Sequence, residues 1–298
     1  MRIGVIGLGN IGGAIARNLI ADGHSVHVHD SDGTRQAAIA AVGAIGAADA
    51  ADVARQVEVT FLSLPSPSVM EAVADEWLQG AAPGSVLVDL STNAPAAVRA
   101  IGTRLAAAGC HLLEAPLTGG APGAQARMLV FMVGGDSAVY DRCRPLLDTL
   151  GRASFHLGPL GSGNTAKLVN SLLAFTATWV SLEGLAIVAK AGIDLRTMID
   201  VIRTGGAGNF FTDRMVEGIN ERGRPTMFSL ALAAKDGGLV LEVARELGVP
   251  VPVAAEVAQV LVAAVGAGLG EHDFTDIVEL IERQAAVSLH LRPAGTAT

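Results

Sequence analysis

The sequence predicts an α/β domain, doubly wound around a mostly parallel sheet, followed by an all-α region, the two joined by one long helix. Three observations predict this. Short apolar runs of strand length alternate with helical patterns through residue 160. From residue 193 onward the patterns read as helix alone. Between them, Gly161-Ser162-Gly163-Asn164-Thr165-Ala166-Lys167 opens the longest helical pattern, which runs to Lys190 with Gly192 as its stop. At 1.5 Å per residue, about 28 residues span roughly 40 Å. The expected division is therefore 1–160, an interdomain helix 161–192, and an all-α domain 193–298.

The chain opens on the apolar strand Ile3 to Ile6, then Gly7-Leu8-Gly9-Asn10-Ile11-Gly12, then a helix pattern at Ile15, Leu19 and Ile20. Strand, G-x-G-x-x-G and helix form the dinucleotide-binding fingerprint of a Rossmann unit. Gly7 permits the tight turn, Gly9 lets a pyrophosphate reach the backbone, and Gly12 lets helix pack on strand. The helix start offers free N–H groups to phosphate. The second strand, Ser25 to His29, ends at Asp30, where an acid holds the adenosine ribose hydroxyls. Asp30 and Asp32 repel a ribose phosphate, so the pattern favours NAD over NADP, although Arg35 lies near.

Later strands end in further ligand loops. Val57 to Leu64 runs into Pro65, and Val86 to Leu90 runs into Ser91-Thr92-Asn93. His111 to Ala115 leads to Pro116-Leu117-Thr118-Gly119-Gly120, whose glycines expose N–H groups suited to a carboxylate or serve an ordinary turn. Leu129 to Val133 and Ser154 to Leu157 complete the strands. Lys167 and Asn170, three apart, share one side of the long helix. Such a lysine is either a snorkelling surface residue or a cleft group. Gly205 to Asn209 interrupts the C-terminal helices, which continue over Phe228 to Leu247, Val253 to Ala267 and Asp276 to Leu289. The tail from Pro293 to Thr298 reads as disordered.

Composition excludes several classes. The formal net charge is −8 and aromatics are 4% of the chain, so there is neither a basic stripe nor a stacking surface for nucleic acid. The two cysteines, Cys110 and Cys143, have no metal or redox spacing and fit reduced cytoplasmic thiols. His27 and His29 share a strand face with no further ligands, so no metal is expected. Leu168 to Ala189 and Val249 to Leu269 are long and apolar, but Asn170 and Glu183 break the first, and Pro250, Pro252, Glu256 and Gln259 the second. Both are read as buried helices, not membrane spans.

Taken in order, these motifs resemble the β-hydroxyacid dehydrogenases, the group of 3-hydroxyisobutyrate dehydrogenase and tartronate semialdehyde reductase. The likeness rests on Gly7 to Gly12, Leu64-Pro65, Asp89-Leu90-Ser91-Thr92, Ala115 to Gly120, Phe131 to Gly135, Gly161-x-Gly163-x3-Lys167-x2-Asn170 and Lys235-Asp236. It implies an NAD(P)-dependent oxidoreductase that interconverts a small β-hydroxy acid and its semialdehyde or keto form. It implies Lys167 as the catalytic acid/base, Asn170 and Lys235 at the substrate, and Thr118, Gly119 and Gly120 around its carboxylate. It implies Gly7, Leu8, Gly9, Asn10, Ile11, Gly12, Leu64, Pro65, Thr92 and Lys235 as cofactor contacts, with Asp236 steadying Lys235. With the very apolar C-terminal half, the resemblance also implies a homodimer or homotetramer, with 193–298 as the substrate and dimerisation domain. The helix start and a second cation would lower the pKa of Lys167 toward working pH.

The chain also departs from the pattern. Thr118 stands where many members carry Ser, Leu117 where Val is common, Arg127 where many carry Gly, and Ser171 in place of a second Asn. Rival readings are an imine reductase, which usually lacks a lysine at the position of Lys167, and a non-catalytic nucleotide-binding protein. A 6-phosphogluconate-type enzyme would need more than Arg283, His290 and Arg292 near the C-terminus.

Overall fold

A computed structural model describes residues 1–291; the tail expected to be disordered lies outside them. The chain forms two compact units, Met1–Lys167 and a second beginning at Leu168, so the division falls inside the long helix.

The first unit contains β1 (Arg2–Ile6), α1 (Asn10–Ala21), β2 (Ser25–His29), α2 (Gly33–Ala40), β3 (Ile45–Gly46) and α3 (Ala50–Gln56). It continues with β4 (Val59–Leu62), α4 (Pro67–Leu78), β5 (Val86–Asp89), α5 (Pro95–Ala107) and β6 (His111–Glu114). These six strands are parallel, in the order β3-β2-β1-β4-β5-β6. Successive strand residues serve opposite faces, as a two-residue period requires. Ile3, Val5, Val59, Phe61, Val86, Val88 and Leu113 join one core with α1 and with α7 (Ser137–Leu150). Ile6, Leu62, Leu87 and Leu112 join a second core with α3, α4 and α5. Both faces are covered, so the sheet is doubly wound.

The remaining strands differ from the expectation of a single sheet. β7 (Leu117–Thr118), β8 (Leu129–Val133) and β9 (Gly151–His156) form their own three-stranded sheet, with β7 antiparallel to β8 and β9 parallel to it. The short α6 (Gly120–Gln125) connects β7 to β8. A single bridge, Glu114 to Gly134, joins the two sheets.

The helix α8 (Ser162–Lys190) crosses the division without a break. The second unit continues with α9 (Leu195–Thr204), a π-helix over Phe211–Met215, a 3-10 helix over Val216–Asn220, α10 (Leu230–Glu246) and α11 (Pro252–Ala264). A second π-helix (Val265–Leu269), a 3-10 turn (Phe274–Ile277) and α12 (Val278–Ala285) follow. Its core clusters Phe175, Trp179, Leu182, Phe211, Leu261 and Phe274. Phe175 lies 5.2 Å from Phe274 and 6.2 Å from Phe228, ring centre to ring centre.

The two apolar helices are not buried as their sequences predict. Only 33% of the most apolar window of each is covered by the chain itself. On α8, Val169, Leu173, Val180 and Ile187 are 51%, 66%, 55% and 72% exposed, and their spacing of four, seven and seven places them along one stripe.

Candidate active site

The C-terminal ends of β1, β2, β4 and β5 gather most of the residues expected to hold a cofactor. The order reverses between β1 and β4, so a crevice opens there, as in other doubly wound sheets. Gly7 follows β1 with φ +85°, and a side chain on it would strike the Ser63 carbonyl after β4. Gly12 packs on the Gly7 carbonyl with no room for a Cβ, whereas a Cβ on Gly9 would meet only Arg35 Nη1, at 4.0 Å. α1 starts behind Gly9, which has no side chain to occupy the first-turn amides. A turn that is tight at Gly7 and Gly12 but open at Gly9 fits a dinucleotide pyrophosphate.

Asp30 sits just beyond β2. Its Oδ2 accepts from Leu8 N–H at 2.6 Å and its Oδ1 from Asp32 N–H at 2.8 Å, so the carboxylate is oriented by the glycine loop itself. Asp32 caps α2 and meets Arg35 Nε at 3.4 Å. Leu64 N–H donates to Ser91 Oγ at 2.9 Å, which ties the Leu64-Pro65 loop to the loop that carries Thr92.

Thr118 ends β7, and Gly119 and Gly120 follow with φ of +120° and +61°. Two consecutive glycines with positive φ give a backbone conformation that anion-binding nests use. Arg127, where many members carry glycine, has φ +59°. The glycine of the pattern is thus a backbone requirement, which Arg127 meets under strain.

The start of α8 is held by a buried polar chain that sequence reasoning missed. Glu114, fully buried at the end of β6, accepts from Gly161 N–H (2.5 Å) and Gly163 N–H (2.9 Å) through Oε1. Its Oε2 accepts from Asn164 N–H (3.2 Å) and Asn164 Nδ2 (2.6 Å). Asn164, also fully buried, accepts Asn93 N–H on its Oδ1 at 2.7 Å. Asn93 Nδ2 in turn donates to Asp89 Oδ2 at 2.7 Å. Burial raises the Asp89 carboxyl to about 6, against the hydrogen bonds of Ser91 and Asn93 and with the help of the Glu114 charge. Burial also raises Glu114, while Asn164 and the amides of residues 163, 164 and 161 pull it back. Asn93 adjoins Thr92, and Asn164 lies three residues before Lys167, both within the ligand-loop and helix-start patterns of the sequence. Nothing local in the sequence marks Glu114; in the fold, a Cβ on Gly134 would collide with its Oε1, and one on Gly163 would come within 3.2 Å of its Cγ.

Lys167 is half-buried, one turn past Asn164, and Asn170 is half-buried one turn further along the same helix. In the second unit, Lys235 on α10 pairs with the buried Asp236 at 3.1 Å. Among the described residues one metal-capable group occurs, with ligand atoms of His272, Asp276 and Glu279 within 4.8 Å of one another. Within it His272 Nδ1 meets Asp276 Oδ2 at 3.3 Å, and Arg283 takes Glu279 Oε2 at 2.8 Å.

Residues 2–158 match the model of the NAD-binding domain of 6-phosphogluconate dehydrogenase. Residues 161–281 match that of the NAD-binding domain of NADP-dependent 3-hydroxyisobutyrate dehydrogenase. The chain belongs to the β-hydroxyacid dehydrogenase family. Among this dehydrogenase's relatives is 2-(hydroxymethyl)glutarate dehydrogenase of Eubacterium barkeri, 31% identical over 97% of each chain. Mitochondrial 3-hydroxyisobutyrate dehydrogenase of Drosophila melanogaster is 31% identical over 95% of this chain and 90% of its own. The solved 3-hydroxyisobutyrate dehydrogenase of Mycobacterium tuberculosis with L-serine superposes with a TM-score of 0.85 at 27% identity, covering 94% of this chain and 98% of that one. A Streptomyces aurantiacus imine reductase is more distant, with a TM-score of 0.66 at 23% identity over 94% of this chain and 99% of that one, and shares the fold alone. This family member is an NAD(P)-dependent oxidoreductase acting on CH–OH.

Proposed function

We propose that this dehydrogenase oxidises a small β-hydroxy acid of the 3-hydroxyisobutyrate class to its semialdehyde, and runs the reverse reduction, with NAD preferred over NADP. The chemistry a nicotinamide cofactor supplies is two-electron exchange as hydride. The protein's part is to position the acid and to move one proton. Gly7 to Gly12 take the pyrophosphate, Asp30 the ribose hydroxyls, and Leu64, Pro65, Thr92 and Lys235 the nicotinamide half. Thr118, Gly119 and Gly120 hold the carboxylate. Asn170 and Lys235 orient the hydroxyl, and Lys167 Nζ exchanges the proton with its oxygen.

The observation that carries this reading is the Asn93–Asn164 hydrogen bond at 2.7 Å. It couples the helix turn before Lys167 to the loop beside Thr92, so the proposed acid/base is fastened to the dinucleotide edge of the sheet. The NAD preference is supported by Asp30, whose carboxylate is already turned toward the glycine loop.

Two further readings belong with it. The exposed stripe of Val169, Leu173, Val180 and Ile187 supports a homodimer or homotetramer built on α8. The free, buried Cys110 and Cys143 fit work in the reducing cytoplasm.

The test is the absorbance of reduced cofactor in mildly alkaline buffer with 3-hydroxyisobutyrate, 3-hydroxypropionate, glycerate, serine and 4-hydroxybutyrate, each with NAD and NADP. Turnover of one acid with NAD supports the reading. Silence across the panel with tight NADH binding overturns it in favour of an imine substrate or a binding protein.

A further inference from the structure

We infer that Glu114 is a positioning residue of the reaction: its buried carboxylate clamps the first turn of α8 and so sets Lys167 relative to the cofactor edge. The inference rests on the assignment of Lys167 as the proton-transfer group.

Four donors converge on Glu114, two on each oxygen, from Gly161, Gly163 and Asn164. None of those bonds offers an acceptor, so a proton on the carboxyl would displace one of them. The four bonds hold the group as a carboxylate despite its burial. An anion is also what a helix start favours, because the unpaired amides there carry partial positive charge.

The clamp is more than a cap. An ordinary cap comes from the residue just before the helix; this one comes from β6, 47 to 50 residues earlier in the chain. Asn164 then faces two ways. Its Nδ2 donates to Glu114, and its Oδ1 accepts from Asn93, next to Thr92. Lys167 is three residues past Asn164, hence on the same helix face. The ends of β5 and β6 therefore define where that face starts.

Space is also cleared for the carboxylate. A Cβ on Gly134 would collide with Glu114 Oε1, and one on Gly163 with the Met132 carbonyl. Hydride and proton transfer from one carbinol need both partners placed to within a fraction of an ångström, and a shift of about 1 Å lowers turnover about a hundredfold. A lysine side chain is long and flexible, so its placement depends on a fixed Cα.

The test compares wild type, Glu114→Gln, Lys167→Ala and the double variant, reading kcat, KM and NADH binding. Gln keeps the size but turns an amide against the Asn164 donors. Glu114→Gln should lower kcat about a hundredfold while NADH affinity holds. In the Lys167→Ala background the same change should cost almost nothing, because the group it positions is gone. Equal losses in both backgrounds would mean a general structural role and overturn the inference. Should Glu114→Gln not fold, Asn164→Ala removes one of the four donors and is read by the same cycle. Full turnover in Lys167→Ala alone would remove the parent reading, and this inference with it.

Discussion

Asn93 turns its amide nitrogen to Asp89 at 2.7 Å, which leaves Asn93 Oδ1 buried without a hydrogen-bond partner. The pair brackets Thr92 in the loop between β5 and α5. With Asp89 raised to about 6 in the fold and 3.8 as its ordinary value, the folded state binds a proton that the unfolded chain has released across that window. The Asp89 contribution to stability is therefore fully present below pH 3.8 and is lost as pH rises through about 6. A rise from 3.8 to about 6 corresponds to at most about 3 kcal/mol. Asp89→Asn should abolish that slope, since an amide does not titrate, and its NH2 can still donate to a flipped Asn93 Oδ1. Urea unfolding at a series of pH values checks this; parallel curves for the two proteins would refute it.

Arg127 grips Asp22 with two prongs, Nη1–Oδ2 at 2.7 Å and Nη2–Oδ1 at 2.9 Å, and also donates to the carbonyls of Asn18 and Thr149. Asp22 is lowered by that hydrogen bond, so its share of stability is present above its ordinary value of 3.8 and is lost in acid. Arg127→Gly loses the grip, worth about 1 kcal/mol for a partly exposed pair, but relieves the left-handed backbone by a similar amount. Arg127→Ala loses the grip and keeps the strain. Melting temperatures should fall in the order wild type or Gly, then Ala last; an Ala variant as stable as Gly would contradict this.

Two glycines separate packing from propensity. Gly163→Ala drives a methyl into the Met132 carbonyl and toward Glu114, and should destabilise by roughly 1–3 kcal/mol. Gly238→Ala, exposed on α10 with nothing within 4 Å of its Cβ, should stabilise by about 0.5–1 kcal/mol. Denaturant midpoints that move the same way would show the local geometry misjudged.

Asp30→Ala should weaken NAD about tenfold to a hundredfold, as loss of hydrogen bonds to a charged group does, and NADP much less. Arg35 lies over Gly9, so Arg35→Ala should widen the preference for NAD. Fluorescence titration with each reduced cofactor decides; equal losses for both in Asp30→Ala would undo the NAD preference.

Much of the parallel sheet was legible because Ile3 to Ile6, Val86 to Leu90 and their neighbours are apolar on both faces, the mark of a sheet covered twice. The glycine loop was legible because strand, turn and helix follow in order. The second sheet was not, since nothing local in Leu129 to Val133 says whether it pairs with β6 or with β7 and β9. Glu114 was invisible for a related reason. A carboxylate at a strand end reads as solvated, and only the distant amides at Gly161 to Asn164 make it a buried clamp. The stripe on α8 differs in the other direction: its apolar run predicts core, yet Leu173 and Ile187 face outward.

The Glu114 clamp also decides where the nucleotide-binding unit can be separated from the rest of the chain. A fragment ending at residue 160 would contain every strand of both sheets, yet leave a buried carboxylate with none of its four donors. The unit is completed by the first turns of the helix that follows it, through Lys167. Any recombination that exchanges the C-terminal helices for another set must carry Gly161 to Lys167 along with the sheet, so the natural joint of this architecture lies inside a helix and not in a loop.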